Sequence, residues 1–136
     1  ITTDRMTRMR AITQAERKAV QGKAPAYMYL FAWETPVLGG KLKSPHGIEN
    51  DFVFDRAGAS PATASGPGRK TLADQVSGAW TAFAHTGDPN HTSLPHWQPY
   101  SESERATMVL YVRSRLETDP GRGERLAQAG LAHPRT

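Results

Sequence analysis

The chain contains no cysteine and no long apolar run. Without cysteine, no disulfide can cross-link the 136 residues and no thiolate can bind a metal ion. No apolar run approaches 18 residues, so the sequence predicts no transmembrane helix and no membrane partner. Hydrophobic residues make up only 38% of the chain, beside 12 glycines and 10 prolines. This apolar content is low for a core that forms without help from another segment.

The first residue is Ile1, and the residues after it do not form a signal-peptide pattern. We therefore expect either that the chain was cut from a longer polypeptide or that its natural start is not shown. Any targeting signal would then precede Ile1, so the sequence leaves the cellular compartment open. The absence of cysteine does not decide the compartment either.

The positive charge of the chain is local. The formal net charge is +4, and the whole excess falls within residues 1–23, while the remainder is balanced. A basic helix could bind nucleic acid. However, these basic residues spread around the predicted helix, and no aromatic side chains alternate with them. A solvated helix face is therefore the favoured interpretation, and we expect no nucleic-acid partner.

The order of predicted elements is typical of an α/β fold. Apolar spacing and breaker residues predict helices, strands and loops in alternation. They are a helix at 4–21 ending at Gly22, a strand at 26–33, a loop at 34–51, a flexible loop at 55–70, a helix at 71–86 capped by Thr71, a polar loop at 88–104, a strand at 107–112 and a helix at 121–129. Two strands cannot form a complete sheet, so further strands should lie elsewhere.

The strand predicted at 26–33 is apolar on both faces. Such a strand suits the middle of a mostly parallel sheet that helices cover on both sides. We therefore expect a missing N-terminal portion or a partner chain to cover it.

Among the large aromatic residues, we expect Trp33, Trp80 and Phe83 in the core. Trp97 and Tyr100 are expected to hold the polar loop in place.

His46 is the candidate site residue, because it lies with Gly47 on a loop that follows the apolar strand. An imidazole titrates near neutral pH and can both accept and return a proton. The alternative is a solvent-exposed loop histidine without a chemical role. Glu49 and Asp51 are expected to orient the loop or bind backbone amides instead of forming an acid–base pair.

Three other histidines, His85, His91 and His96, superficially resemble a metal cluster. The spacing of His91 and His96 occurs in zinc sites. A structural zinc site needs a second pair of ligands, and the chain has no cysteine to supply one. Solvated or capping roles are therefore favoured, and the sequence predicts no metal and no cofactor.

The chain resembles the C-terminal region of type B carboxylesterases, the family that includes para-nitrobenzyl esterases and cholinesterases. The similarity spans roughly residues 10–130, and several motifs occur in the family's order and spacing. These are Tyr27 to Trp33 with Pro36, His46-Gly47-x-Glu49 with Phe52-Val53-Phe54, Leu72 to Phe83, Thr86 to Asn90, Trp97-x-x-Tyr100, Arg105 to Leu110, and Asp119-Pro120-x-x-x-Glu124-Arg125.

The resemblance implies an α/β-hydrolase fold, of which residues 1–136 would form the C-terminal segment with about two strands and flanking helices. It implies that His46 is the histidine of a Ser-carboxylate-His triad, acting as general base and then general acid. Gly47 and Glu49 would support its loop. Phe52 and Phe54 would pack beneath the loop or line an acyl pocket, and packing is favoured. The implied substrate is a small-molecule ester, with no cofactor.

The family's nucleophile motif, Gly-x-Ser-x-Gly, is absent from the chain. The nearest sequence is Gly58-Ala59-Ser60-Pro61-Ala62, within the stretch expected to be flexible. We therefore expect the serine and the triad acid to lie upstream in an intact parent, and this chain alone to be inactive. The competing hypothesis is a truncated, non-catalytic segment that only associates with a partner chain.

Overall fold

The computed structural model describes residues 7–132, and its elements confirm the predicted α/β class. Four α-helices, three strands and one 3-10 turn occur in that range. They are α1 (Met9–Gln21), β1 (Met28–Phe31), the 3-10 turn (Val37–Gly40), α2 (Glu49–Val53), α3 (Arg69–Thr86), β2 (Ala106–Leu110), β3 (Arg115–Thr118) and α4 (Arg122–Ala132). The three strands form one sheet in the order β1-β2-β3.

The observed boundaries correct the sequence expectations in several places. The helix predicted from residue 4 begins at Met9, and residues 4–6 lie outside the described range. The strand expected at 26–33 is shorter, Met28–Phe31. The third strand, β3, and the short helix α2 were not predicted. Each is too short to show apolar periodicity, and β3 contains a single apolar residue, Leu116.

The predicted N-cap of α3, Thr71, is wrong. The helix begins at Arg69, after Gly68, whose φ of 62° is left-handed. A Cβ at Gly68 would also meet the side chain of Val112, so glycine is the residue that fits this turn. The predicted helix ends are confirmed at Gly22 and Gly87, whose amides bond to Ala19 and Phe83 carbonyls.

The contacts divide the chain into two compact units. The first comprises the described parts of residues 1–28, 98–107 and 117–136, and the second comprises residues 29–97 and 108–116. The second unit contains His46 and the whole of α2 and α3. In that unit the amide of Ala32 donates to the Leu110 carbonyl at 2.9 Å, which continues the pairing of β1 with β2.

Aromatic packing forms much of the core of the second unit. Phe52 is fully buried, and its ring lies 5.1 Å from that of Phe31 and 5.0 Å from that of Trp33. Trp33 is a core residue as predicted, whereas Trp80 is half-buried and meets Tyr29 edge to face at 5.1 Å. The expectation for Phe83 is wrong, because its exposed fraction is 48%. The last turn of α3, which carries it, is exposed.

Charged side chains connect separate segments of the first unit, one pair of them across 89 residues of the chain. Arg105 donates to Glu16 at 2.6 Å and to the Tyr100 hydroxyl at 2.9 Å. Tyr100 is buried, which agrees with its expected role in the polar loop. Asp119 accepts two hydrogen bonds from Arg125, which lower the pKa of its carboxyl. The Glu16–Arg105 pair therefore connects α1 to residues 98–107. The Asp119–Arg125 pair connects α4 to the residues just before it.

The helices of residues 7–132 are too short or too polar for any of them to cross a membrane.

We predict that Gly66→Ala destabilises the protein that carries this chain. Gly66 has a φ of 132°, and a Cβ there would overlap the Trp33 ring. Backbone strain and overpacking should together cost about 2–4 kcal/mol in the free energy of unfolding. Thermal unfolding followed by circular dichroism measures the loss.

The matched control is Gly123→Ala in α4, where a Cβ would have nothing within 4 Å. There the substitution should be neutral or stabilise by up to about 1 kcal/mol. Equal effects of the two substitutions would contradict the contact between Gly66 and Trp33.

Candidate active site

His46 lies in a turn that leads directly into α2, and its side chain is exposed. The amide of Ile48 donates to the Pro45 carbonyl and the amide of Asn50 donates to the Gly47 carbonyl, each at 3.2 Å. Gly47 has a φ of 81°, and a Cβ there would meet no atom closer than 3.7 Å. The backbone angle, not lack of space, therefore favours glycine after His46.

Buried side chains after the turn and hydrogen bonds before it fix the position of His46. Ile48 and Phe52 are buried, and α2 packs against α3. Upstream, the loop is closed by a hydrogen bond from the Thr35 amide to the Lys43 carbonyl at 3.0 Å. Ser44 donates to the Phe31 carbonyl at 3.3 Å. The imidazole is thus presented to solvent by a backbone that is held at both ends.

Glu49, predicted to support the histidine loop, is half-buried on α2. Burial and the nearby Glu49 carboxylate both raise the pKa of the Tyr29 hydroxyl. No hydrogen bond joins Glu49 to His46 in the described chain. The structure therefore places Glu49 near β1, and its support of the loop stays a prediction.

The two predicted pocket residues have opposite environments. Phe52 is fully buried against Phe31 and Trp33, which is the packing arrangement that the sequence favoured. Phe54 is 68% exposed, so the packing that the sequence favoured for it is wrong. A role of either ring in lining an acyl pocket stays a prediction.

Asp51 is the centre of a polar cluster that the sequence did not reveal. Its Oδ2 accepts hydrogen bonds from Ser60 Oγ and Thr63 Oγ1, each at 2.6 Å. These bonds, with the charge of Arg56, hold the pKa of the Asp51 carboxyl below its usual value, although partial burial acts in the opposite direction. The donors lie nine and twelve residues away, so no short motif marks the cluster.

The same cluster shows what surrounds Ser60, the serine nearest to the missing nucleophile motif. Ser60 lies in a run of turns, not between a strand and a helix. Its hydroxyl donates to a carboxylate, and no hydrogen bond joins it to His46 among residues 7–132. This geometry lacks the base contact that a serine nucleophile requires.

Residues 55–70 were predicted to form a flexible loop, but residues 69 and 70 already belong to α3. Residues 55–68 are a series of turns in which Thr63 is fully buried. Arg69 donates to the carbonyls of Ala57 and Thr63 at 3.0 and 3.1 Å. The structure thus defines the path of this segment, and its flexibility stays a prediction.

His85, His91 and His96 do not come together in one cluster. His91 bonds to the Gln75 carbonyl at 2.9 Å and packs against Gly78, while His85 and His96 are exposed. Within the described ranges, no three His, Asp or Glu side chains are close enough to hold a metal ion together.

Comparison with known proteins identifies relatives of one kind. A model of the carboxylesterase family matches residues 1–125. The para-nitrobenzyl esterase of Bacillus subtilis is 33% identical over 100 residues, which cover 71% of this chain and 20% of that enzyme. The bile salt-activated lipase of Homo sapiens is 34% identical over 95 residues, covering 66% of this chain and 12% of that protein.

The solved structures that resemble this chain are also esterases. The carboxylesterase EST55 of Geobacillus stearothermophilus, at pH 6.8, is 36% identical with a TM-score of 0.76, covering 93% of this chain and 26% of that one. An esterase of Clostridium hathewayi is 27% identical with a TM-score of 0.72, covering 86% of this chain and 23% of that one. These are α/β-hydrolases, so the predicted fold is confirmed. The chain spans about a quarter or less of the length of these four relatives.

We predict that the contribution of Asp51 to stability is lost in acid. Because the folded pKa of its carboxyl is depressed, its stabilising effect is present above the unfolded value and disappears as pH falls through the folded value. The difference in melting temperature between wild type and Asp51→Asn should be constant above about pH 5 and shrink below about pH 4.

The control is Asp74→Asn, which changes an exposed carboxylate on α3. The difference in melting temperature between wild type and Asp74→Asn should depend on pH much more weakly than the difference for Asp51→Asn. Parallel curves for the two variants would contradict a special role of Asp51.

Proposed function

Because the chain belongs to the carboxylesterase family, we propose that it forms the C-terminal part of a serine ester hydrolase. His46 is its general base, and the serine and the acid of the triad come from residues outside this chain. The observation that supports this role is the exposed imidazole at the start of α2, held by Gly47 and by the buried Ile48 and Phe52.

The reaction is a two-step acyl transfer. The unprotonated ring nitrogen of His46 takes the proton of the serine hydroxyl as the serine oxygen attacks the ester carbonyl. Backbone amides from the rest of the enzyme stabilise the oxyanion of the tetrahedral intermediate. The imidazolium then gives its proton to the leaving alcohol. A water molecule, deprotonated by His46, cleaves the acyl-enzyme in the same way and releases the acid.

Two observations support the need for a larger protein. The relatives that this chain matches are roughly four to eight times longer than the matched segment. In addition, β1 lies at one edge of the three-stranded sheet, although its apolar composition suits a central strand, and its Leu30 is 39% exposed. We therefore assign the missing cover of β1 to the N-terminal portion of the same enzyme or to a partner chain.

The substrate class is a small-molecule carboxylic ester. Two relatives are named for ester cleavage, para-nitrobenzyl esterase and bile salt-activated lipase. The proposed reaction uses neither a metal ion nor an organic cofactor, since proton transfer and acyl transfer are carried by side chains and backbone amides. Para-nitrophenyl acetate is a suitable general probe for the activity.

We predict that His46→Asn in the intact enzyme lowers kcat by about 10³-fold or more. Asparagine keeps a polar side chain of similar reach but cannot shuttle the proton. Steady-state hydrolysis of para-nitrophenyl acetate gives the value.

The control is His96→Asn, which changes an exposed histidine in the loop after α3. Its kcat should match wild type. If His46→Asn retains more than a tenth of the wild-type kcat, His46 is not the base.

We predict that the 136-residue chain alone hydrolyses para-nitrophenyl acetate no faster than the same concentration of free imidazole. It lacks the nucleophile motif, and its Ser60 is bonded to Asp51. Addition of the N-terminal portion as a separate chain should restore turnover if the two associate. Turnover by the pure chain, abolished by Ser60→Ala, would contradict the proposed division of the triad.

A further inference from the structure

The loop that carries His46, residues 34–48, is connected at its first end to the segment 57–67, here named the brace. Trp33 Nε1 donates to the Pro67 carbonyl at 2.9 Å, and Thr35 Oγ1 donates to the Ala62 carbonyl at 2.6 Å. Both side chains are fully buried. Because a buried donor without a partner is costly, these bonds fix the start of the loop against the brace.

The second end of the loop is connected to the same brace through α2. Asp51, five residues after His46, accepts hydrogen bonds from the brace hydroxyls of Ser60 and Thr63, each at 2.6 Å. Bonds to an ionised acceptor are among the stronger ones in proteins. The two ends of the histidine loop are thus held by residues only a few positions apart in one segment.

Thr63 is the residue at which these contacts meet. It is fully buried, and its hydroxyl both donates to Asp51 and accepts from the Gly58 amide at 3.2 Å. Its amide donates to the Ser60 carbonyl at 3.1 Å, and its carbonyl accepts from Arg69 at 3.1 Å. Loss of the hydroxyl would leave the Gly58 amide without this acceptor and the Asp51 carboxylate with one hydroxyl donor fewer.

We infer that the brace is a positioning element for catalysis, and that Thr63 and Asp51 are positioning residues that act through His46. This inference rests on the proposed role of His46. A general base must lie within hydrogen-bond reach of the hydroxyl that it deprotonates. A displacement of about 1 Å can lower the rate by about 100-fold. The brace restrains such displacement because it holds the start and the end of the loop together.

The test compares Thr63→Val with Thr63→Ser in the native gene product that contains this chain. Valine keeps the shape of threonine but removes the hydroxyl, whereas serine keeps the hydroxyl and removes the methyl group. Thr63→Val should lower kcat about tenfold or more while KM stays within about twofold. Thr63→Ser should keep kcat within about threefold. Thr92→Val, at an exposed threonine, is the matched control and should leave both parameters unchanged.

The folded fraction of each variant, measured by circular dichroism at the assay temperature, separates positioning from stability. A merely structural role would lower the melting temperature while kcat per folded molecule stays at the wild-type value, and this result would overturn the inference. A tenfold loss in Thr63→Val that serine does not rescue would also overturn it, because the hydroxyl would then not be the cause.

If Thr63→Val does not fold, Ser60→Ala decides the question, since it removes one of the two hydroxyl donors to Asp51 and leaves Thr63 in place. A kcat lowered threefold or more at constant KM supports the brace, and an unchanged kcat overturns it. His46→Asn, measured in parallel, distinguishes the two levels of failure. If His46→Asn is inactive but the brace variants have normal kcat, only the brace fails. If His46→Asn is active, the proposed function fails and the brace inference fails with it.

Discussion

The packing of Phe52 against Phe31 and Trp33 is the contact on which the candidate site depends. It joins α2, a helix of only five residues, to the end of β1 and the residues that follow it. A helix that short is not stable by itself, because nucleation is unfavourable and few internal hydrogen bonds form. The buried aromatic ring therefore supplies the stability that the backbone of α2 lacks, and the turn carrying His46 takes its position from that helix.

Polar contacts complement this apolar one and act on a different property. The hydrophobic burial of Phe52 stabilises the contact but is non-directional. The hydrogen bonds of Asp51, Thr35 and Thr63 depend on distance and angle, so they also fix orientation. Within the second unit, the same few residues of the brace serve both flanks of the histidine loop. A stretch rich in glycine, alanine, serine and proline can do this because its turns place backbone carbonyls and small hydroxyls close to neighbouring segments.

Strong local patterns predicted much of this fold, and contacts between distant residues account for what was missed. The spacing of Leu72, Val76 and Ala79, followed by Gly87, was sufficient for α3, since periodicity and capping are local properties. The exposure of Phe83 could not be predicted from spacing. Phe83 continues the helical spacing of the buried apolar residues of α3, but the last turn of that helix is exposed. The role of His46 as a general base was inferred from its neighbours and a family resemblance, and it stays a prediction. The Asp51 cluster was not predicted, because its members meet only through tertiary turns.

The ion pair between Glu16 and Arg105 has a consequence for biosynthesis. Its partners are 89 residues apart, and the first unit draws on three separate stretches of the chain. At a synthesis rate of about 5–20 residues per second, α1 leaves the ribosome several seconds before its ionic partner exists. The second unit, whose residues 29–97 are continuous, can collect most of its contacts during that interval. The surroundings of His46 should therefore form first during synthesis, and the first unit should close last.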